Sequence, residues 1–140
     1  SALIALYVLE DHTEAVQRYA STRGKTIAVH GLHELEMENA LRLKEFRKEI
    51  SLRQCRDSRQ RIRQDMNDGL LIQTALNWPT VFQEAHGIAS KVTERSGCRS
   101  LDLLHIAAAL QWKCALFLSL DDRQLKAASL ARLKTLDVRQ

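Results

Sequence analysis

Three carboxylates stand where carboxylates are awkward: Glu36, Asp102 and Asp121. Glu36 lies four residues after Leu32 and four before Ala40, within or beside an apolar stripe at helical spacing. A carboxylate facing a core is costly unless it is paired or bound to a cation. Glu36 therefore reads either as a cation ligand or as a stripe-edge acid paired with one of the many arginines, whereas Glu34 and Glu38 lie off the stripe and read as solvated. Asp102 falls in the first turn of an apolar helix, where an acid complements the macrodipole and His105, one turn on, can hydrogen-bond to it. Asp121 directly follows the apolar run Cys114–Leu120 and fits an N-cap for the next helix. Singly, the two aspartates read as structural. Together they share a geometry, because open α/β sheets bind ligands at the carboxyl ends of strands and near helix N-termini. Carboxylates from separate elements, with no His or Cys among them, suit a hard cation such as Mg2+ or Mn2+ rather than zinc.

Other chemistries fail on the residues. His33-Glu34 begins an HExxH pattern, but Met37 stands where the second histidine belongs. The chain has no GxGxxG, no P-loop and no GxSxG elbow, and its cysteines have no evident catalytic partner. His30 and His33 share a helix face without a further metal-ligand signature and read as ordinary surface or satisfied histidines.

The elements that must position these acids alternate between helix and strand. Glu10 to Thr13 supply caps for a helix from Glu14 to about Thr22 that ends near Gly24. Thr26 to Val29 reads as a strand. From Gly31 to Ile50 the residues Leu32, Leu35, Ala40, Leu43, Phe46 and Ile50 recur at helical spacing. Ser51 caps a basic helix to about Asp68, and Leu70 to Ile72 is either a short strand or the start of the next packing segment. Pro79 fits the first turn of a helix to Ser96, with Gly97 as its stop. Ser100 reads as the N-cap of the helix Leu101 to Trp112, and Cys114 to Leu120 as a buried parallel strand. Asp121-Asp122 opens a helix to about Ala131, and Leu133 to Val138 forms a last strand. This alternation predicts one α/β domain spanning residues 1–140, a parallel sheet sandwiched by helices.

Composition bounds the function. With 140 residues the chain is long enough for a real core, and 45% hydrophobic with 27% charged residues describes a globular protein. Aromatics at 5% argue against a base-stacking RNA platform. Three cysteines with no CxxC spacing point to a reducing cytosol rather than a disulfide framework. No apolar stretch reaches the roughly 20 residues of a membrane span, and no signal peptide opens the chain. The net charge of +4 is unevenly spread, since Arg42 to Arg63 alone carries +6 and the rest sums to −2. Arg53, Arg56 and Arg63 can share one helix face, either as a site for a polyanion or as a solvated helix surface.

Three segments carry a resemblance: Glu36-Met37-Glu38-Asn39-Ala40-Leu41, then Arg99 to Ala109 (RSLDLLHIAAA), then Phe117 to Gln124 (FLSLDDRQ). In this order and spacing they resemble the PIN-domain ribonucleases, and most closely the VapC-type toxins of toxin–antitoxin pairs. The likeness covers essentially the whole chain. It implies a PIN-like fold and a cytoplasmic endoribonuclease that uses Mg2+ or Mn2+ to activate water for hydrolysis of an RNA phosphodiester. By the resemblance Glu36, Asp102 and Asp121 are metal-binding, catalytic acids, and Ser119 matches the hydroxyl residue two positions before the last acid. It also implies a cognate antitoxin and a homodimer as partners. The basic patch with Arg53, Arg56 and Arg63 would hold the RNA backbone or, equally, acidic parts of an antitoxin. The sequence departs from the family at its start. The family opens with a strand ending Asp-Thr-Ser-Ala-Leu, and Ser1-Ala2-Leu3 matches only the end of that motif, so the strand and its aspartate are expected to precede residue 1.

Two rival classes stay open. A PIN-like module without a working site would bind RNA or a protein and show no metal binding. A phosphoacceptor receiver-like domain also carries an acidic Mg2+ site on a parallel sheet, but it needs an early acidic pair after a strand. Glu10-Asp11 follows a possible helix instead.

Overall fold

The computed structural model describes residues 2–23, 26–137 and 139. The chain divides into two compact units, Ser1–Ala75 and Leu76–Gln140. The first contains a 3-10 turn at Ile4–Leu6, then α1 (Thr13–Arg23), β1 (Ile27–Val29), α2 (Gly31–Phe46), α3 (Leu52–Asn67) and β2 (Leu71–Gln73). The second contains α4 (Trp78–Ser96), α5 (Ser100–Gln111), β3 (Phe117–Ser119), α6 (Asp122–Leu130) and β4 (Thr135–Asp137). The class is mixed α/β with parallel strands. Gly24, where the first helix was expected to end, and Val138, at the end of the last expected strand, lie outside the described residues.

The expected single sheet is corrected to two. Among the described residues β1 pairs with β2, and β3 with β4, each pair parallel and two-stranded. Every strand is only three residues long, so the seven-residue apolar run Cys114–Leu120 contributes just Phe117–Ser119 to a ladder. Flanking bonds continue both ladders: Ile27 N–H donates to the Leu70 carbonyl and Thr74 N–H to the Val29 carbonyl at the two ends of the first, and Phe117 N–H to the Lys134 carbonyl in the second, all at 2.8 Å. Leu71–Gln73 proves to be a strand.

Helix ends follow local chemistry. Ser51 and Gln54 make a reciprocal capping box at the start of α3, with the Gln54 amide oxygen accepting from Ser51 N–H at 2.8 Å. Asn77 caps α4 by accepting from Thr80 N–H at 3.1 Å, with Pro79 in the first turn. The N-cap of α5 is Arg99 rather than Ser100, because the Asp102 carboxylate reaches back to accept the Arg99 N–H at 3.1 Å and starts the helix one residue earlier. At their C-termini, α2, α3, α5 and α6 close in the same way. A left-handed residue (Lys48 φ 63°, Gly69 φ 74°, Lys113 φ 53°, Arg132 φ 68°) donates to the carbonyl three residues back, and the next N–H donates to the carbonyl five back. Gly97, φ 67°, ends α4.

In the first unit Met37 and Leu41, one turn apart on α2, are buried against Val29, Leu71, Cys55 and Ile62. This corrects the expected stripe. Ala40 and Ile50 of that stripe do pack against this cluster, but Leu35 is 64% and Phe46 80% exposed and Leu43 is exposed too, so the stripe as a whole is not the face that packs. Apolar residues occupy several sides of α2, and the face that meets β1 and α3 wins burial. The helix also stops at Phe46, short of Ile50, where Lys48 turns left-handed. The opening segment is tied to α3: Tyr7 donates its hydroxyl to the Asp65 carboxylate at 2.6 Å, while Ser58 and Arg61 donate to the Tyr7 carbonyl at 2.8 and 2.6 Å. In the second unit Val81, Ile88 and Val92 of α4 pack with Ile106, Ala107 and Ala127.

Candidate functional site

Two of the three acids, Asp102 and Asp121, belong to the second unit, and a single side chain links their helices. Asp121 is the N-cap of α6, and its Oδ1 accepts from the backbone N–H of Arg123 at 2.8 Å and of Gln124 at 3.2 Å. Its Oδ2 faces the Arg123 guanidinium at 3.4 Å. Asp102 sits in the first turn of α5, where its Oδ2 takes the Arg99 N–H. Gln124 lies between them. Its amide nitrogen donates to Asp102 Oδ1 at 3.3 Å, and its amide oxygen accepts from the Ser119 hydroxyl at 2.6 Å. Ser119, only 4% exposed at the carboxyl end of β3, in turn accepts the Asp121 N–H at 3.0 Å. Asp102, Gln124, Ser119 and Asp121 thus form one hydrogen-bonded chain across α5, β3 and α6.

The electrostatics of this chain favour an ionised Asp121. Partial burial pushes the Asp121 carboxyl upward. The N–H groups of Gln124 and Arg123 and the Arg123 guanidinium outweigh it and hold the group below its ordinary value. The Cys98 thiol is pushed up to about 11, first by burial, then by the charges of Asp102 and Asp121, with Arg123 opposing. It stays protonated at neutral pH, which removes it as a nucleophile. Among the described residues all three cysteines are free thiols.

The donor set is entirely oxygen: two carboxylates, a hydroxyl and an amide carbonyl. That is the set Mg2+ and Mn2+ take, and Mg2+ commonly binds through one or two carboxylates while keeping several waters. A carboxylate offers about four lone-pair sites. Asp102 uses one on each oxygen, so acceptor capacity remains on both; Asp121 keeps capacity on Oδ2. The residues therefore fit a hard cation. Within Leu76–Gln140 no third His, Cys, Asp or Glu among the described residues completes a three-ligand set with them inside 4.8 Å.

In the first unit, Glu36 is half-buried on α2, one position before Met37. Two positions on, Glu38 takes Arg59 of α3 at 2.7 Å and Arg42 at 2.9 Å. Partial burial pushes the Glu38 carboxyl upward, and these two guanidinium groups outweigh it and hold the carboxyl low. Glu38 is therefore engaged rather than merely solvated. On α3, Cys55, Ser58 and Ile62 face inward, leaving Arg53, Arg56 and Arg63 exposed together on an outer face. Arg53 lies 3.8 Å from Asp57 with its side chain 91% exposed, while Arg56 and Arg63 pair with no acid among the described residues. Arg63 also lines a groove of about 330 Å3 between α2 and α3, floored by Met37, Ile62 and Met66.

Sequence reasoning missed two participants in the second unit. Gln124 is three residues after the N-cap Asp121, the position where Glu or Gln signals a capping box. That signal was present, but here the amide serves Ser119, and Ser119 serves the N-cap N–H. Asp137 stands opposite Ser119 in the parallel register of β3 and β4 and pairs with Arg139 at 2.6 Å; Arg139 also pairs with Asp122. No local pattern marks Asp137. Among the described residues no helix is long and apolar enough to cross a membrane. Comparison with protein-family models, curated proteins and solved structures finds no match to this chain.

Proposed function

We propose that this protein is a divalent-metal-dependent endoribonuclease of the PIN type, acting in the cytoplasm as the toxin of a toxin–antitoxin pair. The observation that carries the reading is the linked arrangement of Asp102 and Asp121, two acids from separate helix N-termini held by Gln124 and Ser119 at the carboxyl end of a parallel strand. A bound Mg2+ or Mn2+ supplies a lowered pKa for its water and neutralises charge developing on phosphate. Asp102 and Asp121 would hold the cation with the acceptor capacity their caps leave. Ser119, fixed by one donated and one accepted bond, keeps its oxygen at a set place beside Asp121. The helix N-termini of α5 and α6 favour the same negative charge. The arginine face of α3, with Arg53, Arg56 and Arg63, suits a phosphate backbone.

Asp102→Asn, made in the protein expressed from its natural gene, tests this. It keeps the side-chain shape and an acceptor for Arg99 N–H while removing the charge. Mg2+-dependent cleavage of RNA is expected to vanish with circular dichroism unchanged; retained cleavage refutes the metal assignment. A second reading, a non-catalytic RNA- or protein-binding module, draws on the capping work both aspartates already do. RNA binding by a wild-type protein that shows no Mn2+ binding would select it.

A further inference from the structure

The structure assigns to Gln124 a positioning role: its amide sets where Asp102 stands relative to Ser119 and Asp121, and so shapes the cation site. This rests on the metal-site reading above and names a residue that reading did not contain. The argument is one of donor and acceptor inventory. Asp102 Oδ1 accepts in this arrangement, so the group facing it is the amide NH2; the amide oxygen is then left for Ser119. Ser119 has one proton, which goes to Gln124 at 2.6 Å, and its lone pairs receive the Asp121 N–H at 3.0 Å. Each group in the chain thereby has one orientation. Asp102 Oδ1 is steered by a neutral donor, which leaves the carboxylate charge uncompensated and available to a cation. A lysine or arginine there would neutralise it.

The geometry also makes Gln124 the only described side chain that hydrogen-bonds both a residue of α5 and a residue of β3 while sitting on α6. Its backbone N–H meanwhile caps on Asp121 at 3.2 Å. A side chain of the same length without donor or acceptor would keep the packing and the helix but release Asp102 from its set rotamer. Outer-shell partners of this kind typically change metal affinity by about 10- to 100-fold when removed.

Gln124→Met is therefore the informative variant, and Mn2+ titration followed by electron paramagnetic resonance is the readout. Wild type is expected to bind Mn2+ saturably, Asp102→Asn to lose that binding, and Gln124→Met to bind about tenfold or more weakly with its melting temperature near wild type. Gln124→Met binding as wild type does, while Asp102→Asn does not bind, overturns the positioning role and leaves the metal site standing. Wild type without Mn2+ binding overturns both. Should Gln124→Met not fold, Gln124→Asn keeps the amide but is one methylene too short to hold Asp102 and Ser119 together, and is expected to show the same weakening of Mn2+ binding. Wild-type Mn2+ affinity in that variant overturns the proposal.

Discussion

The arginine face of α3 and the aspartates at the start of α5 and α6 both place charge at a surface, but they hold it differently. Arg53, Arg56 and Arg63 extend from a regular helix on flexible stems, with at most one loose contact to Asp57. Asp102 and Asp121 are short, and every one of their four oxygens already accepts a hydrogen bond or faces a guanidinium. The first arrangement leaves its charges free to rearrange, a freedom that any ligand would have to remove at an entropic cost. The second has lost its freedom during folding and suits a ligand of fixed size and demanding geometry. Charge alone does not separate these two tasks; the number of bonds restraining each charged group does.

Replacing Arg53, Arg56 and Arg63 together by Gln attacks the adaptable side and has the largest expected effect. RNA affinity should fall roughly tenfold or more near 0.1 M salt, and the salt dependence should flatten by about 0.7 per lost contact. Fluorescence anisotropy over a salt series measures this, with the Asp102-dependent Mn2+ titration unchanged as the control. Equal affinity and slope would show that the face is only a solvated surface. On the restrained side, Asp121→Ala removes the cap of α6 and should destabilise by about 1 kcal/mol, whereas Asp121→Asn keeps a capping oxygen and costs less. The carboxyl of Asp121 is held below its ordinary value, so its stabilising contribution is present above about pH 4 and lost as pH falls through the depressed value. The melting-temperature gap between wild type and Asp121→Asn should therefore close on acidification below that point; a gap that persists would contradict the depressed value. The smallest effect is expected for Glu38→Gln. Its pairs with Arg42 and Arg59 are partly exposed, so urea denaturation should register no more than about 1 kcal/mol. A loss of several kcal/mol would make this pair a structural anchor and weaken the contrast between the regions.

Much of the local structure was legible. Ser51 and Gln54 announce the start of α3, Pro79 and Gly97 bracket α4, and Asp121 caps α6 where its position after an apolar run suggests. These signals act over a few residues, and local backbone chemistry decides them. Which face of α2 is buried could not be decided that way. Leu35, Leu43 and Phe46 are as apolar as Met37 and Leu41, and only packing against β1 and α3 chooses between them. The argument for Glu36 inherited that ambiguity, whereas Asp102 and Asp121 were found from their places at helix starts. Gln124 and Asp137 acquire their partners from other elements, so no spacing along the chain reveals them. The split of four strands into two ladders belongs to the same class, since three-residue strands carry too little pattern to declare their neighbours.

The shared closure of α2, α3, α5 and α6 divides what local chemistry decides from what packing decides. Each of these helices carries its stop within its last turn and the residues just beyond it, in a left-handed residue and two backbone bonds. A helix closed this way has its C-terminal boundary set by local backbone chemistry, independent of contacts from distant segments. Three of the four stops use Lys48, Lys113 or Arg132 in a conformation that glycine adopts more easily, with a cation beside the negative end of the helix dipole. Where these helices end is thus decided locally, and what long-range packing decides is which of their faces is buried.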